Sequence, residues 1–538
     1  MRNEPVIVSG KAPGSSVWSL AGELPTFPTL KENLKADVCI VGGGITGLTC
    51  AYLLGLEKKS VVVLDAERIG GGETCRTTAH LANAVDGGYR GVERFHGHEG
   101  ARIAAAGHAA AIHRIETILS REGIECGFER VDGYLFPAPG VSEKILDREY
   151  EAARRAGVPY VEKAREAPLG PYGGFDTGPA IRFGMQAQFH PAKYLRGLAE
   201  AAQRLGVRIC ERTRATSVRG GDHAQVTAPG GRVDCGAVIV ATHTPFNDWV
   251  VIHTKQAAYR SYALAGRIPR ESLTRGLYWE ETGSPAEPYH YIRVFRWSRE
   301  TDLLIVGGED HKTGQDDNAS ERHTRLEQWA KRRFPMMRAP EARWSGQILE
   351  TVDDLPYIGR NPSDDPNVYI ATGFSGTGMT YAAVSGMLLT DLICGRKNEW
   401  EKLYDPSRKT MGALLNFARE NGNVLFQYAH WFTGGEASSV DRIRPGSGAV
   451  LRDGFDKLAV YRDENNVVHV RSAVCPHLKG VVAWNSAEKS WDCPCHGSRF
   501  DPFGKVINGP ASSDLSPAAL PEGKDGTGNV DDQLEIVR

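Results

Sequence analysis

The sequence has little that marks a specialised surface. Its 64 Lys and Arg nearly balance its 66 Asp and Glu, for a net charge of −2. With no excess of either sign, no nucleic-acid partner and no anionic-membrane surface are expected. Internal repeats and low-complexity blocks are absent. Met1–Lys11 lacks the basic-then-apolar pattern of an export signal, so a cytoplasmic location is expected. One long stretch has no charge, the 19 residues Val38–Leu56. That length can span a bilayer, but the stretch contains Gly42, Gly43, Gly44, Gly47 and Gly55. Its start is β-branched and its end has a helical pattern. A strand, a tight turn and a buried helix are predicted, and no transmembrane segment. Seven of the ten cysteines stand singly and far apart, as thiols do in a reducing compartment. No Ser-His-Asp set and no paired acids are visible.

What is present points to several domains, since 538 residues exceed one hydrophobic core. Residues 1–33, rich in Pro and Ser, read as a surface arm. Residues 34–85 read as strand, Gly turn, helix, strand and Gly-rich loop. Helices are predicted over 100–122, 193–205 and 319–333. Short strands fill 207–243, with a hairpin near Pro229-Gly230-Gly231. Residues 396–440 read as a connector, and 441–538 as short strands punctuated by Gly, Pro and Asn, an all-β pattern.

The strand Asp37–Val41 runs into Gly42-Gly43-Gly44-Ile45-Thr46-Gly47. This is G-x-G-x-x-G in the context it requires. The first glycine permits the turn, the second lets backbone approach a pyrophosphate, and the third lets helix and strand pack closely. The pyrophosphate then meets N–H groups at a helix start. A second strand, Val61–Leu64, ends at Asp65, placed to accept from ribose hydroxyls. Three further segments favour FAD over NAD, because a long cofactor needs distant contacts. They are Gly70–Ala79, the strand end Ala241-Thr242, and Gly373–Met379 opening a helix.

With Asp354-Leu355-Pro356-Tyr357-Ile358-Gly359, these motifs resemble the D-amino-acid oxidase superfamily of FAD enzymes over about residues 34–400. The resemblance implies an α/β FAD-binding domain, Rossmann-like and of the glutathione-reductase type, from 34–85, 185–250 and 340–395. An α+β substrate domain follows from 86–184 and 251–339. It implies FAD contacts from Gly42, Gly44, Ile45, Thr46, Gly47, Asp65, Gly72, Thr74, Arg76, Thr77, Thr78, Thr242, Gly373, Gly376, Thr377, Gly378 and Met379. The substrate it implies is a small amine or amino acid, oxidised at the C–H next to nitrogen. Arg76 stands where some relatives tether flavin through histidine, so no covalent link is expected there.

Near the C-terminal end, Cys475-Pro476-His477 is followed after 15 residues by Cys493-Pro494-Cys495-His496. Two thiolates and two imidazoles suit a 2Fe–2S centre with mixed ligation, and chemically they suit zinc too. The C-x-H spacing is unusual for zinc. With Gly497-Ser498-Arg499-Phe500-Asp501 and Gly509-Pro510-Ala511, the segment resembles Rieske domains. The resemblance implies Cys475, His477, Cys493 and His496 as ligands and Ser498 as a donor to a sulfide. High-potential relatives have a cysteine in place of Gly480 and a tyrosine in place of Phe500. Losing that hydroxyl removes a hydrogen bond that favours the reduced cluster, so a potential below the respiratory type is expected. The whole chain resembles bacterial FAD-dependent oxidoreductases fused to a C-terminal all-β Rieske domain.

Only one dinucleotide fingerprint is present, so electrons are expected to enter from an organic substrate. A hydride passes to flavin N5, and single electrons then pass to the cluster and an external acceptor, a protein, a quinone or oxygen. A Rieske oxygenase needs a further 2-His-1-carboxylate iron domain, for which the 42 residues after His496 are too few. The alternative is a redox relay or sensor without its own organic substrate. Among pocket candidates, Arg293 is expected to clamp a carboxylate, with Tyr291 beside it and His311 near the flavin.

Overall fold

The computed structural model describes residues 15–20, 24–169, 176–247, 250–283, 289–315, 319–431, 435–437 and 439–520. The first 14 residues of the arm and residues 521–538 of the C-terminal domain lie outside these. The backbone forms two compact units, Met1–Lys312 with Ser320–Asn421, and Thr313–Ala319 with Gly422–Arg538.

The first unit contains two sheets. One runs in the order Tyr357–Arg360, Val368–Thr372, Gly231–Val240, Leu34–Val41, Val61–Leu64 and Arg208–Cys210, with the hairpin Ser217–Arg219/Ala224–Ala228 attached. Its central pairings are parallel. Alternate residues enter different cores. Val38, Ile40, Val61, Val63 and Ile239 join the core of the helices Ile45–Leu56 and Gly378–Ile393, while Cys39, Val41, Val62, Leu64 and Val238 join the hairpin's core. Both faces are therefore covered, which explains unbroken apolar strands where alternation would mark a half-exposed sheet. The uncharged run divides into strand, turn and helix. Among the described residues, no helix is long and apolar enough to cross a membrane.

The second sheet runs Ala342–Thr351, Gln256–Pro269, Thr301–Lys312, His290–Arg296, Leu277–Glu281, Glu129–Pro137, Ala180–Gln188 and His80–Leu81, with Val161–Ala164 beside Ala180–Gln188. Here the structure departs from the sequence boundaries. Ala342–Thr351 pairs along Gln256–Ala265 in this sheet, so the parallel sheet resumes only at Tyr357. The boundary at 185 cuts through the strand Ala180–Gln188. Strand periodicity says nothing about which sheet a strand joins. A helix at 100–122 also starts earlier, at Gly88, and turns at Gly97, whose φ of 70° suits glycine.

The arm also differs from the surface reading. Val17 and Trp18 are fully buried, and Trp18 Nε1 donates to Thr77 O at 2.6 Å. An indole with its N–H satisfied makes a good buried anchor.

The second unit carries two antiparallel sheets. They are Ser447–Asp453/Asp456–Arg462/Val468–Ser472 and Ala483–Asn485/Ser490–Asp492/Arg499–Phe500/Val506–Asn508. Trp491 and Phe500 fill its core with Cys475, Cys493 and Cys495. Buried Arg499 is neutralised by Asp492 at 2.9 Å and Glu488 at 3.3 Å, as a buried charge requires.

Candidate active site and metal centre

In the first unit, Gly42 lies between strand and helix with φ 108°. A Cβ there would stand 2.4 Å from Ala241 O, and one at Gly47 would stand 1.9 Å from Gly42 O. Only glycine fits at either position. Gly44 caps the helix Ile45–Leu56, leaving its first N–H groups at the turn. Ile45 N donates to Thr74 Oγ1 at 3.0 Å, so the Gly70–Ala79 loop meets the fingerprint directly. Asp65 Oδ2 accepts from Gly43 N at 2.6 Å.

That loop is strapped from several sides. Trp344 Nε1 donates to Arg76 O at 2.7 Å, Gln347 N donates to Glu73 Oε2 at 2.8 Å, and Arg76 reaches Ser345 O at 3.3 Å. Thr242 Oγ1 is turned to Thr244 O at 2.8 Å. Gly373, with φ 76°, opens the second turn, where a Cβ would lie 2.4 Å from Thr351 Cγ2. Thr377 then caps the helix that starts at Gly378, and Met379 is buried. These surfaces fit FAD: close backbone approach at one helix start, and a second helix start beyond the Gly373 turn.

Four carboxylates gather beside that second turn, and nothing in the sequence groups them. Asp86 Oδ2 accepts from Gly376 N at 3.1 Å. Glu350 bonds Ser375, and its carboxyl is raised by burial and by Asp86, Asp354 and Asp310. Burial, with Asp86 nearby, pushes Asp310 up to about 7. Asp354, packed against Gly87 and Gly91, is likewise pushed up to about 7 by burial and by Asp353 and Asp86. Tyr289 and Tyr291 face the group, with ring centroids 5.7 Å apart, and Tyr291 OH meets Ser261 Oγ at 2.9 Å. Asp310 Oδ1 has no hydrogen-bond partner among the described residues.

A β-bulge aims Asp310 at this group. Tyr262 pairs with Gly308 and Arg260 with His311, so Glu309 and Asp310 together oppose Ser261. Glu309 adopts φ 59° to allow it. The extra residue shifts the inside–outside alternation by one. Glu309 therefore meets Arg325 at 2.8 Å, His311 stacks 5.6 Å from Tyr262, and Asp310 faces Ser261 and Tyr289.

Two pocket expectations are corrected by this geometry. His311 lies on the side of Tyr262 and Glu309, away from Asp310. Arg293 is fully buried, and its guanidinium donates to Thr78 O at 2.6 Å, Ala79 O at 3.1 Å, Phe189 O at 2.7 Å and Gln188 Oε1 at 2.9 Å. Four of its five N–H groups are committed to backbone and amide oxygens, so neither edge of the fork keeps the two free donors that a bidentate carboxylate clamp needs. Tyr291 stands beside Ser261, near Asp310 and Asp86.

In the second unit, Cys475, His477 and Cys493 are buried and His496 is half-buried. The Cys475 and Cys493 thiols face each other, and the His477 and His496 rings lie 5.0 Å apart at 88°. Ser498 hydroxyl faces the Cys475 thiol, and its oxygen accepts from Ala511 N at 3.0 Å, tying in the Gly509-Pro510-Ala511 loop. A Cβ at Gly480 would stand 2.6 Å from Cys495 Sγ. Among the described residues, no three such side chains converge on one point. A single tetrahedral ion requires that convergence, whereas an iron pair asks for two protein ligands per iron.

Residues 37–392 match the profile of the FAD dependent oxidoreductase family, DAO, and residues 430–519 that of the Rieske [2Fe-2S] domain. The chain belongs to the DAO family of FAD-dependent oxidoreductases. It is 32% identical over 502 residues to the putative Rieske 2Fe-2S iron-sulfur protein YhfW of Bacillus subtilis, covering 93% of this chain and 96% of that one. It is 27% identical to the gamma-glutamylputrescine oxidoreductase of Escherichia coli, over 70% of this chain and 87% of that one. L-amino acid deaminase from Proteus vulgaris shares the fold with a TM-score of 0.56 and 20% identity, covering 76% of this chain and 100% of that one. This DAO-family protein is thus an FAD-dependent oxidoreductase, with FAD and a Rieske 2Fe–2S cluster as cofactors.

Proposed function

We propose that the protein dehydrogenates a cationic amine at the C–H next to nitrogen and delivers the electrons singly to an external acceptor. The observation that carries this is the group Asp86, Asp310, Glu350 and Asp354 beside the Gly373–Met379 turn, faced by Tyr289 and Tyr291. Carboxylates with aromatic faces suit an ammonium group. Arg293, the expected carboxylate clamp, is spent on the loop. The relative that acts on gamma-glutamylputrescine, by its name, supports an amine.

FAD held by Gly42, Gly44, Ile45, Thr46, Gly47, Asp65, Gly72, Thr74, Arg76, Thr77, Thr78, Thr242, Gly373, Gly376, Thr377, Gly378 and Met379 supplies a hydride acceptor. A cluster held by Cys475, His477, Cys493 and His496 supplies a one-electron carrier. In this reading Asp310 takes one proton from the substrate ammonium, leaving a neutral amine whose nitrogen lone pair assists loss of hydride from the adjacent carbon. The organic product is an iminium ion. Tyr289 and Tyr291 hold the substrate, and Asp86, Glu350 and Asp354 favour cationic over anionic molecules.

The test is anaerobic mixing of the holoprotein with monoamines, diamines and α-amino acids, following flavin absorbance and then the cluster's electron-spin signal. Bleaching by amines, with a reduced-cluster signal following, is expected. Reduction by α-amino acids alone overturns the substrate class. If no member of the panel bleaches the flavin, the relay reading replaces this one.

A further inference from the structure

Two loops bear the four Rieske ligands, and both are tied by residues that precede the Rieske domain. In the first loop, between His477 and Gly480, Lys479 adopts φ 60°. This is a left-handed conformation that a lysine holds only when its surroundings impose it. Cys475 N donates to Gly480 O at 2.8 Å and Lys479 N to Cys475 O at 3.1 Å, which closes the turn from inside. From outside, Tyr428 OH donates to Leu478 O at 2.6 Å and Trp431 Nε1 to Lys479 O at 3.0 Å. Val424, Tyr428 and Trp431 also pack on the core that holds Cys475, Cys493 and Cys495. In the second loop, Gln315 Nε2 donates to Pro494 O at 3.0 Å, and its amide is fixed by a reciprocal pair with Asn423 at 2.7 and 3.2 Å. Gln315, Asn423 and Tyr428 lie outside the 430–519 stretch that matches the Rieske domain.

We infer that Tyr428 and Trp431, with Gln315 behind the second loop, are positioning residues that form an added wall of the cluster site and lower the cluster's midpoint potential. The reduced cluster carries one more negative charge than the oxidised one. A wall of aromatic rings that keeps water from the ligand loop disfavours that charge. Opening the wall admits water and raises the midpoint.

The inference rests on Cys475, His477, Cys493 and His496 being the ligands, and the experiment separates the two claims. Full-length wild type, Tyr428→Phe and Trp431→Phe are assayed for iron and acid-labile sulfide, then titrated under electron-spin detection. Absence of iron and sulfide from wild type overturns the ligand assignment. With the cluster present in wild type, the expected result is an upward midpoint shift in both variants, with altered g-values and faster sulfide loss at constant flavin content. Loss of the cluster from Tyr428→Phe with flavin retained also supports the wall. Midpoints and g-values equal to wild type, or a downward shift, overturn it.

Discussion

Gly376 N donates to Asp86 Oδ2 at 3.1 Å, fixing a carboxylate on the turn that leads into the helix Gly378–Ile393. A carboxylate near a helix start is stabilised as an anion. Burial opposes this, and Asp86 is raised overall. Its charge in turn contributes to holding Asp310 and Asp354 up near 7. Asp310 and Asp354 therefore titrate near neutrality, while burial and the neighbouring acids raise Asp86 and Glu350 as well.

Rate should follow that titration. Asp310 accepts a proton only when ionised, so the anaerobic flavin-reduction rate with amines is expected to rise through pH 7. Asp310→Asn should lower it by about 10²-fold, a usual size for a lost general base, and remove the inflection. An inflection that persists in the variant rules out Asp310 as its source.

Stability should run the other way. A carboxyl whose folded pKa lies above its unfolded value of 3.8 stays protonated in the native state while the unfolded chain ionises. The unfolded state then binds fewer protons, and stability falls as pH rises from about 4 to about 7, then levels off. Asp310→Asn is expected to flatten part of that decline, so the variant gains on wild type between pH 5 and 8 in thermal melts. Parallel melting curves across that range would contradict the raised carboxyl.

Arg293 should matter to folding more than to substrate affinity. Arg293→Met leaves three backbone carbonyls and one amide oxygen unsatisfied. At about 1–3 kcal/mol for each buried group, with partial relaxation, a loss of about 3 kcal/mol is expected in urea unfolding. A rise in KM for carboxylate-bearing substrates alone, with stability unchanged, would restore the clamp.

Gly47→Ala should cost the cofactor. Its Cβ would fall 1.9 Å from Gly42 O and push the turn open. Purified variant is expected to lose most of its absorbance near 450 nm while keeping the cluster's. Full flavin occupancy would show that the turn tolerates the shift.

Phe500 offers a gain-of-function check on the cluster. It is fully buried in the core that holds the cysteines. Phe500→Tyr adds the hydroxyl that high-potential relatives have, and the midpoint is expected to rise. An unchanged midpoint would place that hydroxyl out of reach of the cluster.

Motifs whose chemistry depends on adjacent residues were legible in the sequence. Gly42–Gly47 needs only a strand before it and a helix after it, and Cys475-Pro476-His477 needs only its partner box. The acid pocket was hidden because Asp86, Asp310 and the pair Glu350 and Asp354 come from three segments far apart in the chain, which only the fold brings together. Arg293 misled for a related reason. An arginine on a strand beside tyrosine looks the same whether its fork meets a ligand or the carbonyls of Thr78 and Phe189. Trp18 lies in a stretch without periodicity, and only the tertiary structure shows its indole holding Thr77 O.

The bulge at Glu309 and Asp310 has a consequence for how specificity can change. Neighbouring positions on that strand end bear two acids and an imidazole, and a single surplus residue decides which of them looks inward. Flattening the irregularity by a one-step slip of the strand end would turn Asp310 outward and bring Glu309 and His311 in. One insertion or deletion there could therefore recast the pocket's proton chemistry without altering any residue that touches it now.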